Sequence, residues 1–410
     1  MLYWCSYMIR QKWQAAGVVV ALLAAFYLGT VMHQQSAFAQ TVNAVTGKQP
    51  SGVDMTQFWV AYELLNENFV VTHASSSMPT EQEQLYGAIA GLTSSFGDPY
   101  TVFFPPSDAQ IFQQDISGSF GGIGLQIDNN ASGQLVAVSP LKNTPAAAAN
   151  IQSGDIIVAI GATSSEMMPS DQAVKTIRGP VGTQVSLTLK RGSDKPFTVT
   201  LTRQTINIPI IDTEKMNGGI FKISLYSFSE NSVGLFRNAL RQFVESGDTK
   251  LILDLRGNPG GYLDAAVEMA SYFLPTGDVI VTEDFKGNQE NISHRSRGYN
   301  VFANNKNFKM AILVDQGSAS ASEILAGALQ QQGVAKLVGT RTFGKGSVQE
   351  LMDLGGGAEL KVTIARWLTP NGNSISDGGL KADIQATTTA AEVKAGNDAQ
   401  LNAAIQYLSN

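Results

Sequence analysis

The chain contains little of what disulfide-linked, zinc-binding and nucleic-acid-binding proteins depend on. Its 410 residues include one cysteine, Cys5, so neither an intrachain disulfide nor a zinc site built from several thiolates can form. The net charge is −6 and the isoelectric point is near 5.2, whereas a nucleic-acid-binding surface needs a basic stripe. Only three histidines are present, and none lies in a motif that indicates catalysis. A nucleophile in this chain would therefore need a base other than histidine.

The overall composition is that of a globular protein with a full core. Hydrophobic residues make up 43% of the chain and charged residues 15%, and the length is sufficient for two or three domains. The sequence predicts a mixed, multidomain α+β protein with a helical N-terminal region, a small β-barrel and an α/β core.

The first 39 residues have the pattern of a targeting segment. Arg10 and Lys12 precede an apolar run over residues 15–32, and a small-x-small motif follows at residues 37–39. Both a cleaved signal peptide and an uncleaved membrane anchor fit this pattern. Either predicts export to the periplasm, or to the periplasmic face of the inner membrane, of a bacterium; the thylakoid lumen is less favoured. Residues 40–52 are predicted to be a linker.

Four segments follow the linker. Residues 53–112 show helical spacing of apolar residues, with helices predicted over 58–69 and 82–92. Residues 113–204 contain five short strands and two helices, which indicates a self-contained barrel. Residues 205–386 alternate strands and helices, and the apolar runs at 251–255 and 310–314 are typical of buried parallel strands. Residues 387–410 are predicted to be a helical tail.

Ser320 lies where the predicted strand at 310–314 turns into a predicted helix at 324–331. A strand-to-helix turn exposes a side chain, and a helix N-terminus favours developing negative charge, which suits a nucleophile. An ordinary helix cap is the alternative, because Ser320 and Glu323 have the S-x-x-E form of a capping box.

Lys345 follows twenty-five residues later between Gly344 and Gly346. A lysine acts as a base only when neutral, and its ordinary pKa is about 10.4. Bringing that pKa near neutrality requires roughly 4 kcal/mol, which burial among apolar groups can supply. Gln349 shares a face with Lys345 in either a strand or a helix, so its amide can hold the lysine nitrogen. A solvated lysine in a glycine loop is the alternative.

A glycine-rich turn at Gly257–Gly261 follows the predicted strand at 251–255. Such a turn lets backbone N–H groups face the space above the sheet. Two of them beside a serine would stabilise an acyl-transfer oxyanion by about 3–4 kcal/mol. The turn matches neither of the common phosphate-loop patterns.

These three motifs, together with Asp98–Phe104, Ile364–Gly372 and the glycine-rich stretch at 121–124, resemble the carboxyl-terminal processing peptidases over about residues 55–385. That family consists of serine/lysine peptidases. The resemblance implies that Ser320 is the nucleophile, Lys345 the general base and Gln349 the residue that orients it. It also implies oxyanion donors at the Gly261 and Ala321 amides.

Two further expectations accompany this resemblance. Ser318 and Ser322 are expected to be structural, and we predict Glu323 to be a polar partner of Arg256. The stretch at 379–383 lacks the proline that the family has there, so its local turn is expected to differ.

Phe120–Leu125 is a glycine-rich segment that runs into a strand, whereas a dinucleotide loop would run into a helix. Such a segment suits capture of a peptide carboxylate, with the peptide added as an extra strand. With the stretches at 153–157 and 178–182 it resembles a PDZ domain. A tight strand turn without a ligand is the alternative. The residues implied to hold the carboxylate are Gly121, Gly122, Ile123, Gly124 and Leu125, in a pocket lined by Ile127 and the helix at 171–177.

The leading hypothesis is an exported endopeptidase that binds apolar C-terminal tails and cleaves upstream through an acyl-enzyme. No cofactor or metal is implied, and Arg178 is hypothesised to link the PDZ-like region to catalysis. The alternatives are a latent PDZ scaffold or an adaptor-dependent protease. A penicillin-binding enzyme would carry its lysine where Glu323 lies. The sequence also allows an adaptor protein as a partner, anchoring to the membrane by the N-terminal segment, and assembly into a homo-oligomer.

Overall fold

The structure is a computed structural model that describes residues 52–72, 78–130, 132–141, 143–166, 168–207, 210–376, 378–388, 392 and 397–410. The predicted targeting segment, nearly all of the predicted linker, and Cys5 lie outside these residues. Of the helices within them, none has the length and apolar character that a membrane span requires. The chain divides into two compact units after Thr80.

The first unit contributes one described helix, α1 (Thr56–Asn68), close to the predicted 58–69. Three neighbouring aromatic side chains contact one another edge to face along it. The ring centroids of Phe58 and Trp59 are 5.1 Å apart, and those of Trp59 and Tyr62 are 6.1 Å apart.

The second unit begins with α2 (Glu81–Ser94), β1 (Val102–Phe104) and α3 (Pro106–Ser117). Pro106 starts α3, a position where the missing N–H of proline costs nothing, and Gly118 ends it with a left-handed φ of 78°. The rings of Phe104 and Phe112 stack with centroids 4.7 Å apart, which fixes α3 against β1.

The region after α3 forms a small antiparallel barrel, as predicted. Its main sheet has the order β3-β4-β5-β7-β8, and β2 pairs separately with β9. A core of buried aliphatic residues, including Leu187 and Leu189, fills the interior. The elements are β2 (Ser119–Gly122), β3 (Leu125–Asn129), β4 (Leu135–Pro140), α4 (Pro145–Ala148), β5 (Ile156–Ile160), β6 (Thr163–Ser164), α5 (Ser170–Ile177), β7 (Gln184–Lys190), β8 (Phe197–Thr202) and β9 (Gln204–Asn207).

The α/β core is a six-stranded sheet of order β10-β11-β12-β15-β16-β19, in which only β10 runs antiparallel to its neighbour. The predicted apolar runs are its central strands, and the helices α6–α8 cover one face while α9 covers the other. Burial on both faces explains why these strands read as continuous apolar runs. The elements are β10 (Ile211–Met216), β11 (Ile220–Leu225), α6 (Ser232–Glu245), β12 (Lys250–Asp254), α7 (Leu263–Ser271), β15 (Lys309–Val314), α8 (Ala321–Gln331), β16 (Ala335–Gly339), β19 (Ile384–Gln385) and α9 (Ala399–Ser409).

A second, antiparallel sheet contains β13 (Val279–Asp284), β14 (Ile292–Arg295), β17 (Ser347–Gly355) and β18 (Ala358–Leu368). Strand β18 pairs with β13, with β17 and with β1 from the start of this unit. The segment before the barrel is therefore joined by backbone hydrogen bonds to the strands that follow Lys345.

Candidate active site

Two loops meet at the carboxyl ends of the neighbouring parallel strands β12 and β15. The fully buried Asn258 fastens them together. Its backbone oxygen accepts hydrogen bonds from the Ala319 N–H and the Ser322 hydroxyl, both at 3.0 Å. Its side chain accepts from the Gly260 N–H at 2.9 Å and donates to the Leu225 oxygen at 2.8 Å. The glycine-rich turn is thereby held against the turn that carries Ser320.

Ser320 has backbone angles of φ 54° and ψ −117° at the N-terminus of α8. A non-glycine residue in such a region costs about 1–3 kcal/mol and is held there only by its surroundings. Ser318 and Ser322 supply part of that support, because their hydroxyls donate to the Leu255 and Asn258 oxygens. The prediction that these two serines are structural is consistent with these bonds.

Glu323 fixes the nucleophile turn and the lysine loop to each other. Its side chain is fully buried and accepts four hydrogen bonds. The donors are the Ser320 N–H at 3.0 Å, the Thr342 hydroxyl at 2.6 Å, the Gly344 N–H at 2.8 Å and the Lys345 N–H at 3.0 Å. Burial raises the pKa of Glu323, while these hydrogen bonds work in the opposite direction by favouring the carboxylate.

The predicted contact between Glu323 and Arg256 is wrong. The Arg256 guanidinium pairs instead with Asp254 at 2.6 Å and with Asp398 at 2.8 Å. Asp398 begins α9 and also accepts a hydrogen bond from the Leu401 N–H, so the C-terminal helix is tied to the start of the glycine-rich turn.

Lys345 lies in the loop before β17 and is half-buried. Burial lowers the pKa of its ammonium group, and the nearby Glu323 charge acts in the opposite sense. Its Nζ lies 5.3 Å from the centroid of the Tyr100 ring. The direction of the pKa change is the one that a lysine base requires.

Ser320 and Lys345 line one cavity of about 660 Å³, which we call the Ser320 cavity. Gly261 and Gln349 line it as well, and Val348, Ile364 and Trp367 give it an apolar wall. Within the described residues, no hydrogen bond joins Ser320 Oγ to Lys345 Nζ. The structure therefore brings the two side chains to one space without closing the contact between them.

Gln349 lies in the cavity wall but contacts neighbours other than Lys345. Its amide nitrogen donates to Ser347 Oγ at 2.7 Å and to Thr363 Oγ1 at 3.3 Å. Positions 347 and 349 share one face of β17, and the register shift in the pairing with β18 skips Ile364, so that Gln349 lies opposite Thr363. The predicted role of Gln349 in holding the lysine nitrogen stays a prediction.

The backbone at positions 260 and 261 requires glycine. Their φ angles are 103° and 144°, and a Cβ on Gly260 would lie 2.8 Å from Ser320 Cβ and 2.9 Å from the Ala321 nitrogen. Phe228 holds the turn, since its N–H donates to the Gly260 oxygen at 2.9 Å. In the part of the chain that the structure describes, the Gly261 and Ala321 N–H groups have no acceptor. Two unpaired donors thus flank the serine, as an oxyanion hole needs.

The predicted carboxylate-binding segment differs from the expected loop. Gly121 and Gly122 belong to strand β2, paired with Thr205 and Gln204, and only Ile123 and Gly124 form a turn before β3. Neither the Ile123 nor the Gly124 N–H meets an acceptor among the described residues. Strand β3 is at the edge of its sheet, beside α5, so one side can accept an added strand.

Arg178 lies between the barrel and helix α3. Its guanidinium contacts Asp115 of α3 at 2.6 Å and lies 4.0 Å from the centroid of the Phe120 ring. A second ion pair joins Lys175 Nζ to Asp108 of α3 at 2.8 Å. On another side, α3 lines the Ser320 cavity with Phe112, Gln113 and Ile116.

Sequence reasoning missed Lys361, which also lines the Ser320 cavity. Its Nζ lies 5.3 Å from the Phe104 ring centroid and 5.1 Å from that of Phe112. Burial, and then the charge of Lys345, lower the pKa of Lys361, while Asp98 raises it. The aromatic cluster at 98–104 was the available signal, because the faces of aromatic rings often hold a cationic side chain.

Comparison with known proteins gives two family matches. Residues 219–386 match peptidase family S41, and residues 112–190 match the PDZ domain. A probable CtpA-like serine protease of Staphylococcus epidermidis is 34% identical over 327 residues, which are 80% of this chain and 64% of that protein. The carboxy-terminal processing protease CtpA of Bacillus subtilis is 33% identical over 326 residues, 79% of this chain and 69% of that protein.

Among solved structures, the photosystem II D1 C-terminal processing protease superposes with a TM-score of 0.51 at 27% identity, covering 87% of this chain and 91% of that one. The chain belongs to peptidase family S41, among the carboxyl-terminal processing peptidases, and contains a PDZ domain, as the motifs predicted. It spans about 64% of the length of the first curated relatives that it matches.

Proposed function

We propose that this protein is an exported serine endopeptidase that binds the C-terminal tails of protein substrates through its PDZ domain and cleaves them with a Ser320/Lys345 dyad. The observation that carries the proposal is the meeting of three groups at one cavity, namely a strained serine, a lysine whose pKa is lowered and the Gly261 N–H, with the Ala321 N–H directly after the serine in the chain. Membership of peptidase family S41 supports it.

The proposed reaction starts when neutral Lys345 takes the hydroxyl proton of Ser320 as its oxygen attacks the scissile carbonyl. The resulting oxyanion accepts hydrogen bonds from the Gly261 and Ala321 N–H groups. As the C–N bond breaks, the Lys345 ammonium gives its proton to the leaving amine, which leaves an acyl group on Ser320. Lys345 then takes a proton from water as the water attacks the ester, and it returns that proton to Ser320 Oγ as the new carboxyl terminus leaves.

Tail recognition is proposed to use the edge of β3. The substrate's terminal carboxylate would accept hydrogen bonds from the Ile123 and Gly124 N–H groups, and its last residues would pair with the strand. Leu125, Ile127 and helix α5 line the side on which an apolar terminal residue would lie. Gly121 and Gly122 shape this turn from strand β2 rather than contacting the carboxylate.

The second candidate is a latent enzyme, or a PDZ scaffold, that needs an adaptor or a bound tail. The missing contact between Ser320 Oγ and Lys345 Nζ favours it. Arg178 is then the proposed regulatory link, because it contacts α3, whose other side lines the cavity. Normal stimulation by a tail peptide in Arg178→Ala would refute that link.

The test compares wild type with Ser320→Ala, Lys345→Ala and Lys345→Arg on a peptide with an apolar C-terminus and on casein. Loss of cleavage in all three variants is expected, since arginine retains charge but cannot act as a base. Cleavage by Ser320→Ala would refute the dyad. If wild type is inactive alone but a fluorophosphonate still labels Ser320 slowly, the latent form is supported.

Export is tested separately on the full chain, expressed with a C-terminal tag. The expected result is digestion of the tagged protein by external protease after the outer membrane is opened. N-terminal sequencing of the mature protein distinguishes the two forms, because cleavage after Ala39 would give a chain that starts at Gln40.

A further inference from the structure

Strand β17 has one free edge, and that edge borders the Ser320 cavity. The strand pairs with β18 on one side, and no described strand pairs with it on the other. Five consecutive residues, Ser347 to Leu351, line the cavity. A cavity that lay over one face of a strand would meet only alternate residues, because side chains alternate between the two faces. The cavity therefore runs along the backbone edge of β17.

A hydrogen bond to Gly346 shows which backbone groups of β17 point to that edge. The Trp367 N–H of β18 donates to the Gly346 oxygen at 2.7 Å, so Gly346 faces β18. In an antiparallel pair, successive residues turn their N–H and C=O groups alternately toward the partner strand and away from it. Ser347, Gln349 and Leu351 therefore direct these groups away from β18 and toward the free edge.

The partner strand shows the same alternation. Thr363 of β18 lies opposite Gln349, and its N–H donates to Thr101 Oγ1 at 3.1 Å rather than to β17. The register shift leaves its extra residue, Ile364, in β18, so it does not interrupt the alternation along β17. The backbone groups of Gln349 are thus free of β18 from both points of view.

The groups along this edge have no partner within the described ranges of the chain. Neither the N–H nor the C=O group of Ser347, Gln349 or Leu351 hydrogen-bonds to another described residue. A row of unpaired donors and acceptors on an edge strand is a template on which an extended peptide can add as a further strand. The free edge of β17 is such a row.

The edge begins beside the proposed nucleophile. One oxygen of Glu323, Oε2, accepts the Ser320 and Lys345 N–H groups, each at 3.0 Å, so those two backbone positions are neighbours. Strand β17 starts at Ser347, directly after the lysine loop. From there to Leu351 the edge spans roughly 13 Å, at about 3.3 Å per residue, which is the length of about four residues of extended peptide.

We propose that the free edge of β17 is the main-chain binding site for the substrate segment beside the scissile bond, which adds to the second sheet as an extra strand. The inference rests on the proposed function and goes beyond recognition of the tail by the PDZ domain. Bonds to the main chain do not read side chains, so the edge accepts many sequences provided that the segment is extended. The substrate class is therefore a polypeptide that is unfolded at the cleavage site and selected by its tail.

The first experiment compares kcat/KM of Leu351→Pro and Leu351→Ala on a peptide with an apolar C-terminus. Both variants lose the leucine side chain, but only proline removes the outward N–H, and an edge strand tolerates proline where that group is not used. Loss of one hydrogen bond predicts about threefold to tenfold lower kcat/KM for Leu351→Pro than for Leu351→Ala. A small fluorophosphonate does not need the edge, so the two variants should be labelled at Ser320 at equal rates.

Met352→Pro is the matched control for the direction of these groups. The Met352 N–H faces β18 by the same alternation, so proline there removes a bond within the sheet. We expect Met352→Pro to unfold at a lower urea concentration than Met352→Ala, whereas Leu351→Pro should unfold close to Leu351→Ala.

The second experiment changes the substrate instead of the enzyme. In a series of peptides, one backbone N–H near the scissile bond, but not at it, is replaced at a time by an ester oxygen. The expected pattern is an about threefold to tenfold loss of kcat/KM at alternate positions on one side of the scissile bond, with little change between them. The dissociation constants of the same peptides for Ser320→Ala should show the same alternation, which does not depend on cleavage.

An ester series without this alternation overturns the proposal, and equal kcat/KM of the two Leu351 variants does so as well. If Leu351→Pro does not fold, the ester series on the wild type decides alone. Cleavage by Lys345→Ala would instead refute the dyad, while peptide binding to Ser320→Ala would still report on the edge, so the two failures are distinguishable.

Discussion

The exchange of Glu323 for glutamine tests how the two catalytic loops are held together. In the structure, Oε1 accepts the Thr342 hydroxyl and the Gly344 N–H, while Oε2 accepts the Ser320 and Lys345 N–H groups. Glutamine keeps one oxygen, but its NH₂ group would face two N–H donors. We expect the two bonds on that side to be lost while the other two weaken.

The expected loss of folding stability follows from the burial of the Glu323 carboxylate. A hydrogen bond to a charged acceptor contributes about 1.5–3 kcal/mol, and loss of two at the lower value destabilises the fold by about 3 kcal/mol. Ser320 and Lys345 also lose the contact that sets their separation. Displacement of reacting groups by about 1 Å can lower a reaction rate about a hundredfold, so we expect Ser320 to react 10–100-fold more slowly in this variant.

Urea unfolding followed by tryptophan fluorescence measures the first effect, with the buried Trp367 as the reporter in the peptidase core. Fluorophosphonate labelling of Ser320 measures the second. Glu245→Gln, at the exposed end of α6, removes the same charge and should stay within about 0.5 kcal/mol of wild type. If the Glu323→Gln variant has the same free energy of unfolding as Glu245→Gln, and its Ser320 is labelled at the wild-type rate, Glu323 does not organise the site.

Two further predictions concern the oxyanion turn and the PDZ domain. Gly260→Ala should lower kcat/KM at least about 100-fold, because its Cβ would meet Ser320 Cβ at 2.8 Å, whereas Gly234→Ala in helix α6, with open space around it and no positive φ, should retain most activity. Hydrogen bonds from Arg191 lower the pKa of the Asp155 carboxyl, so its stabilisation is present above about pH 4 and is lost as pH falls through the lowered pKa. Asp155→Asn should therefore unfold earlier in urea at pH 7, and the difference should disappear in acid.

Much of the candidate site could be predicted from the sequence because its main residues follow local patterns. Ser320 sits at a strand-to-helix turn, and Gly261 ends a glycine-rich turn after a buried strand. Strand and helix periods, together with parallel pairing, are enough to bring two such turns to one sheet edge. The resemblance to a known family then supplied the roles.

The errors arose where a partner comes from far along the chain. Glu323 reads as a helix cap, and nothing local shows that it also holds Thr342 and Lys345. Gly121 and Gly122 read as a loop, but pairing with residues 204 and 205 makes them a strand. At Glu323 the distant partners add to a helix cap that does form, whereas at Gly121 and Gly122 strand pairing overrides the local preference.

Lys361 was missed for the opposite reason. A lysine in a strand normally marks the solvent-facing side, so the pattern gives no sign of a buried role. The rings that hold it belong to Phe104 and Phe112, which lie in a different part of the sequence and reach it through the pairing of β1 with β18.

Helix α3 contacts the PDZ domain on one side and the Ser320 cavity on the other, which makes any communication between them reciprocal. If a bound tail tightens the binding of a reversible inhibitor at Ser320 by shifting α3, then that inhibitor must tighten tail binding by the same free energy. The two ion pairs that join α3 to the PDZ domain are partly exposed, at Lys175–Asp108 and Arg178–Asp115. Pairs of this kind contribute about 0–1 kcal/mol each, so their share of the coupling should not exceed about thirtyfold.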